Sequence, residues 1–161
     1  MVDIRPMLGQ GRVAELDATP GFRVTVFAEG LDNVRFLALG PDGMLYAADQ
    51  GNDRIVALPD ADGDGVVDEI HPFATGLNNP NSLVWHKDAW YVGVPSGVIR
   101  LRDSDGDGLA DEKTAFIDDY STRGHNTHTV EFLPDGRMVV SVGFTCNVCN
   151  EEDERRGAIV V

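Results

Sequence analysis

His125 and His128 stand three residues apart at the head of the stretch GHNTHTVEFLPDGRMVVSVGFTCNVC, residues 124–149, and Cys146 and Cys149 close it. An imidazole titrates ordinarily at ~6.5, so either histidine can serve as a general base near neutral pH if it faces a substrate. The plainer reading is that one or both satisfy backbone groups at the start of a strand. The cysteines form a single C-x-x-C. A zinc site would need a second ligand pair, and a thioredoxin-type centre would need a βαβ setting; the sequence offers neither. What remains is a small loop disulfide in an oxidising compartment or two reduced thiols.

Two acidic loops carry the other chemistry. Asp60-Ala61-Asp62-Gly63-Asp64-Gly65-Val66-Val67-Asp68-Glu69 and Asp103-Ser104-Asp105-Gly106-Asp107-Gly108-Leu109-Ala110-Asp111-Glu112 place carboxylates at positions 1, 3, 5 and 9 and glycine at position 6. Alternate carboxylates can wrap one hard cation, the glycine permits the sharp turn, and the carbonyl of Val66 or Leu109 can add a ligand. His71 and Thr114 fall where an EF-hand has its twelfth-position glutamate, and the flanks read as strands. These are therefore expected to be short calcium loops at hairpin ends, with Glu69 and Glu112 as further candidate ligands. Five acidic residues in ten, twice over, would repel one another without a cation; solvated acidic turns are the alternative.

The elements that must position these groups are strands. Pro134-Asp135-Gly136 lies between two apolar runs and predicts a β-hairpin with the histidines at its entrance and the cysteines past its exit. The same order recurs along the chain, in units of about residues 33–77, 78–120 and 121–161. The first has VRFLAL, the turn Pro41-Asp42-Gly43, MLYAAD, RIVALP and a strand after the acidic loop; the second has SLVWH, WYVGV, VIRLR and TAFID. The third has HTVEFL, RMVVSVG and GAIVV. The acidic loops begin 43 residues apart and the Pro-Asp-Gly turns 93 apart, two periods of 46 to 47. A four-strand unit repeating every ~40–50 residues predicts an all-β propeller built of blades; an internally duplicated sandwich is the structural alternative.

Residues 1–20 read as an N-terminal segment, and Gly21–Leu31 alternates as a strand, with Phe22, Val24 and Val26 on one face and Arg23 and Thr25 on the other. Three blades are half of a six-bladed ring, and an isolated half would expose two open flanks. Either a longer protein supplies the remainder, or two copies close head to tail, each donating Gly21–Leu31 to the other's third blade.

Composition narrows the partners. The 161 residues, 42% hydrophobic, suffice for one domain with a buried core. A net charge of −14 repels nucleic-acid backbones and anionic membrane surfaces, so neither is an expected partner. No stretch approaches the length of a membrane span, and residues 1–20 lack the continuous apolar core of a secretory signal.

Gly124-His125-Asn126-Thr127-His128, Phe132-Leu133-Pro134-Asp135-Gly136, Ser141-Val142-Gly143, Cys146-Asn147-Val148-Cys149 and Arg155-Arg156-Gly157-Ala158-Ile159 together resemble the soluble PQQ-dependent sugar dehydrogenases, in the L-sorbosone and pyranose dehydrogenase branch. The likeness extends over about residues 20–161. It implies a six-bladed propeller, in the periplasm or secreted, that holds pyrroloquinoline quinone (PQQ) and calcium over its channel and oxidises a small sugar or aldehyde. By that likeness His125 would be the catalytic base, Arg35 would pair with a cofactor carboxylate, and His128 would support the cofactor site. Several of the family's calcium and cofactor contacts come from a second half that has no counterpart in this sequence. A non-catalytic, calcium-stabilised propeller acting as a binding or assembly module is the competing expectation.

Overall fold

The computed structural model describes residues 19–22 and 24–161. Among them are β1 (Val34–Leu39), β2 (Leu45–Asp49), β3 (Arg54–Leu58), β4 (His71–Ala74), β5 (Ser82–His86), β6 (Ala89–Val94), β7 (Gly97–Arg102), β8 (Glu112–Ile117), β9 (His128–Phe132), β10 (Met138–Val142) and β11 (Ala158–Val160), one short 3-10 turn, and no α-helix. They form three antiparallel meanders: sheet 1 (β1-β2-β3-β4), sheet 2 (β5-β6-β7-β8) and sheet 3 (β9-β10-β11).

The repeated turn sequence produces a repeated turn. Gly40 N–H bonds Met44 C=O and Gly43 N–H bonds Gly40 C=O; Leu133 with Arg137 and Gly136 with Leu133 repeat the pattern. Gly43 and Gly136 sit at φ +81° and +89°, where a side chain would be strained, and Asp42 and Asp135 each accept from the N–H two residues on.

The sheets stack face to face through the apolar side chains that their strands turn toward one another. Ala48, Ile55 and Phe73 of sheet 1 pack on Leu83, Trp90, Val92 and Leu101 of sheet 2, with Trp90 wedged between the rings of Tyr46 and Trp85 at 4.6 and 5.5 Å. Val98 of sheet 2 and Tyr120 pack on Val130, Val140 and Val142 of sheet 3. The first strands are neighbours, β1 beside β5 and β5 beside β9.

A buried polar seam sets the register of the last two. Ser82 Oγ donates to the His128 carbonyl at 2.7 Å and accepts from Val130 N–H at 3.3 Å, while Asn81 Oδ1 accepts from His128 N–H at 3.0 Å. The start of β5 thus lies against the start of β9. Gly93 completes the fit, since a Cβ there would collide with the His128 carbonyl.

The strand expected over Gly21–Leu31 does not form among its described residues; Arg23 lies outside them, as does most of the 1–20 segment. Residues 24–31 run along the outward face of sheet 1 instead. Phe27, Ala28 and Leu31 cover Ala47, Val56 and Leu58, and the Phe27 carbonyl accepts from Val67 N–H at 2.8 Å. Phe22 and Val24, from the face that the alternation marked, are exposed, and among the described residues no strand supplies this stretch with the ladder of hydrogen bonds that a strand requires.

Candidate functional site

His125 lies in the loop that enters β9 and is clamped from both sides. Its N–H donates to the Phe144 carbonyl at 2.7 Å. Gly124, at φ +68°, passes so close to Thr145 that a Cβ would strike its carbonyl, and a Cβ on Gly143 would strike the His125 carbonyl. Only glycine fits either crossing. The imidazole is exposed, and its Nε2 lies 2.6 Å from Asn147 Oδ1. An amide oxygen can only accept, so this contact suits the tautomer with the proton on Nε2, in which Nδ1 is the ring's acceptor.

Asn147 sits inside the Cys146–Cys149 disulfide, whose bridged residues are separated by three positions. The bridge decides between the two chemistries that the C-x-x-C left open. Glu151 anchors the loop base by accepting from Thr145 N–H and Thr145 Oγ1, both at 2.6 Å.

Arg156, which spacing alone does not single out, braces the same corner. Its guanidinium is buried and donates to the carbonyls of Gly143, Ser121 and Arg123, joining the stretches on either side of His125. Beside it Arg155 bonds Asp119 at 2.6 Å and Asp153 at 2.8 Å and lies over the Tyr120 ring. The Arg155 hydrogen bonds hold the Asp153 carboxyl down to about 2. In the sequence Arg155-Arg156-Gly157 stands out only as part of the family resemblance.

His128 is placed differently from its expected role. The alternation of HTVEF turns His128 and Val130 inward, and the imidazole is fully buried in the seam between sheets 2 and 3, beside Tyr120 and 3.2 Å from the Pro95 carbonyl. Burial pushes its pKa down, and nearby Arg156 adds to this; the Pro95 bond opposes both without reversing them. The ring is internal, and its lowered pKa favours the neutral form. Arg35 is exposed near the start of β1, where the β1–β2 register shifts between Val34 and Phe36. Such a bulge re-aims a side chain. Arg35 and His125 thus stand at the entrances to the first strands of sheets 1 and 3.

The acidic loops fold alike. Carboxylate oxygens of Asp60, Asp62 and Asp64 come within 4.8 Å of one another, and those of Asp103, Asp105 and Asp107 do the same. Oxygens so spaced can share one calcium ion at about 2.4 Å each. Asp60 also accepts from Gly65 N–H at 3.1 Å and Asp103 from Gly108 N–H at 2.9 Å, the sixth-position glycine in both cases. The Gly108 bond leads those that hold the Asp103 carboxyl below its ordinary range.

The side chains of Asp68, Glu69, Asp111 and Glu112 are not part of these clusters. Asp68 accepts from Ala61 N–H, and Asp111 from the N–H and hydroxyl of Ser104, closing each loop across its mouth. Glu112 begins β8 and pairs with Arg100 and Arg102 of β7, while Glu69 lies 3.9 Å from His71. Val66 and Leu109 are exposed, and their N–H groups bond Asp64 and Asp107.

Residues 41–157, most of the chain, match the family described as "Domain of unknown function (DUF7133)". The chain belongs to this family. No curated protein matches it. Among solved structures, this DUF7133 chain is similar to the holo form of the PQQ domain of pyranose dehydrogenase from Coprinopsis cinerea, with a TM-score of 0.71, 17% identity, and coverage of 82% of this chain and 33% of that one. Iodide and calcium structures of a Trichoderma reesei carbohydrate-active enzyme of family AA12 give TM-scores of 0.71 at 16% identity, covering 81% of this chain and 35% and 34% of theirs. At these identities the likeness is one of fold: the three meanders stack as in those domains. The DUF7133 chain spans about a third of their length.

Proposed function

We propose that this chain is part of a propeller-type quinoprotein that oxidises an aldose or related sugar or aldehyde, with His125 as the general base. The observation that carries the reading is the state of that histidine. It is exposed at the entrance to a first strand, clamped through its backbone, and held at Nε2 so that Nδ1 is free to accept a proton.

The donor set fits the groups that such an enzyme uses. Arg35 offers a rigid, permanently charged fork for a carboxylate of PQQ, and the two aspartate triplets offer hard oxygens for calcium. PQQ, when bound, supplies the two-electron acceptor for the substrate's hydride. His125 Nδ1 takes the hydroxyl proton of the same carbon. The triplets lie in the loops between third and fourth strands, away from the first-strand entrances, and this favours a structural role for their calcium. That placement also supports the second reading, a calcium-stabilised binding or assembly module without catalysis.

Ring closure is part of the proposal. Among the described residues sheet 3 has three strands where its neighbours have four, and a groove of about 570 Å³, lined in part by Phe116, Tyr120, Met138 and Val160 and by Arg137 and Arg155, lies beside it. Residues 24–31 lie along the outward face of sheet 1, where an adjoining blade would pack. A second copy, head to tail, brings its segment 24–31 to the β11 edge and completes a six-bladed ring. Dye-linked oxidation of aldoses by the chain loaded with PQQ and calcium is expected, with a loss of at least a hundredfold in His125→Ala. Undiminished oxidation by that variant would refute the assignment.

A further inference from the structure

His125 is held at three points, and only one of them touches its ring. The backbone clamps at Phe144 and Gly143 fix where the residue is; they leave the imidazole free to rotate and to carry its proton on either nitrogen. The Asn147 Oδ1 contact at 2.6 Å is the one that bears on both freedoms. Asn147 lies 22 positions from His125 and is itself exposed, as are Val148, Cys149 and Asn150 around it, so packing does not order this side of the loop. Covalent closure at Cys146–Cys149 and the Glu151–Thr145 bonds take that place.

We infer that Asn147, presented by the disulfide loop, is a positioning residue that fixes the ring orientation and tautomer of His125. The inference rests on the reading of His125 as the base, and it assigns the C-x-x-C a task in that chemistry: holding an acceptor against Nε2 so that Nδ1 faces the substrate. A backbone-only role for the loop would need no acceptor at position 147.

The test uses the full ¹⁵N-labelled chain and two-bond ¹H–¹⁵N spectra of its imidazoles at about pH 8, above the ordinary imidazole range. The chain has four histidines, and His125→Gln assigns the relevant peaks by their loss. His125 should be overwhelmingly the Nε2–H tautomer. Asn147→Ala should lower the Nε2–H to Nδ1–H ratio about fivefold, the worth of one hydrogen bond. Asn147→Asp, which keeps an acceptor oxygen, should retain the wild-type ratio. Cys146→Ser/Cys149→Ser should move toward the alanine variant, its backbone amide spectrum reporting that the sheets persist. An unchanged ratio in Asn147→Ala, or Asn147→Asp behaving like alanine, would overturn the inference. The spectra need neither quinone nor sugar. A tautomer that responds while His125→Ala keeps activity would therefore sink the base assignment and leave the positioning intact.

Discussion

Replacing Ser82 by alanine removes a single oxygen from the seam that holds sheet 3 on sheet 2. Ser82 is fully buried, and its hydroxyl both donates to the His128 carbonyl at 2.7 Å and accepts from Val130 N–H at 3.3 Å. Alanine leaves that carbonyl without its partner in a place water does not reach, at a cost of about 1–3 kcal/mol; losing the longer second bond adds a fraction of this. The expected total is about 2–3 kcal/mol, or a Tm lower by roughly 5–10 °C for a chain of this size. Urea denaturation should show a lower midpoint with an unchanged m value. Ser141→Ala is the matched control. Its hydroxyl accepts from Thr129 N–H at the same 3.3 Å but on an exposed face, so the change should stay within about 0.5 kcal/mol. Equal losses in the two variants, or a Ser82→Ala loss under about 0.5 kcal/mol, would refute the claim that the seam fixes the sheet pairing.

Acid should weaken the same seam. The His128 pKa is depressed, so the unfolded chain binds the proton more readily than the folded one. Stability is therefore complete above about pH 6.5 and falls as pH drops below it, by at most about 1.4 kcal/mol per pH unit for this proton. Tyr120, the Pro95 carbonyl and Arg156 surround the ring, and the Asp153 carboxyl, at about 2, titrates far below that window. Denaturant midpoints that stay level from pH 7 to 5 would contradict this. Calcium should raise the unfolding free energy by about 2.7 kcal/mol per occupied triplet at a hundredfold excess over Kd, and a chelator should reverse it. Asp62→Asn/Asp105→Asn should abolish the response, because each removes one carboxylate from a triplet; a calcium response that survives in this variant would place the ion elsewhere.

Much of this architecture was legible in the sequence because its signals are local. Pro41-Asp42-Gly43 and Pro134-Asp135-Gly136 specify the same turn, and the apolar runs around them become β1, β2, β9 and β10. The aspartates at positions 1, 3 and 5 converge for the same reason, since alternate residues of a tight loop point to its centre. Less of it was legible where the outcome depends on contacts with other parts of the fold. Alternation in Gly21–Leu31 marked Phe22, Val24 and Val26, whereas Phe27, Ala28 and Leu31 cover sheet 1 and Phe22 and Val24 are exposed, so the period of this stretch did not identify its packed residues. His128, expected to support the cofactor site, lies by the alternation HTVEF on the face that Val130 buries. Glu112 counted with the loop by proximity and belongs to β8 through Arg100 and Arg102. The Asn147 contact with His125 had no local signature at all, because the fold brings the disulfide loop to the histidine across 22 residues.

The most direct test of the whole account is the solution mass of the chain by light scattering in calcium, with PQQ titrated into the same sample. The account predicts a particle of about twice the 17.4 kDa chain mass that takes up the quinone. A 17.4 kDa particle that leaves the quinone free would contradict both the closed ring and the quinone site.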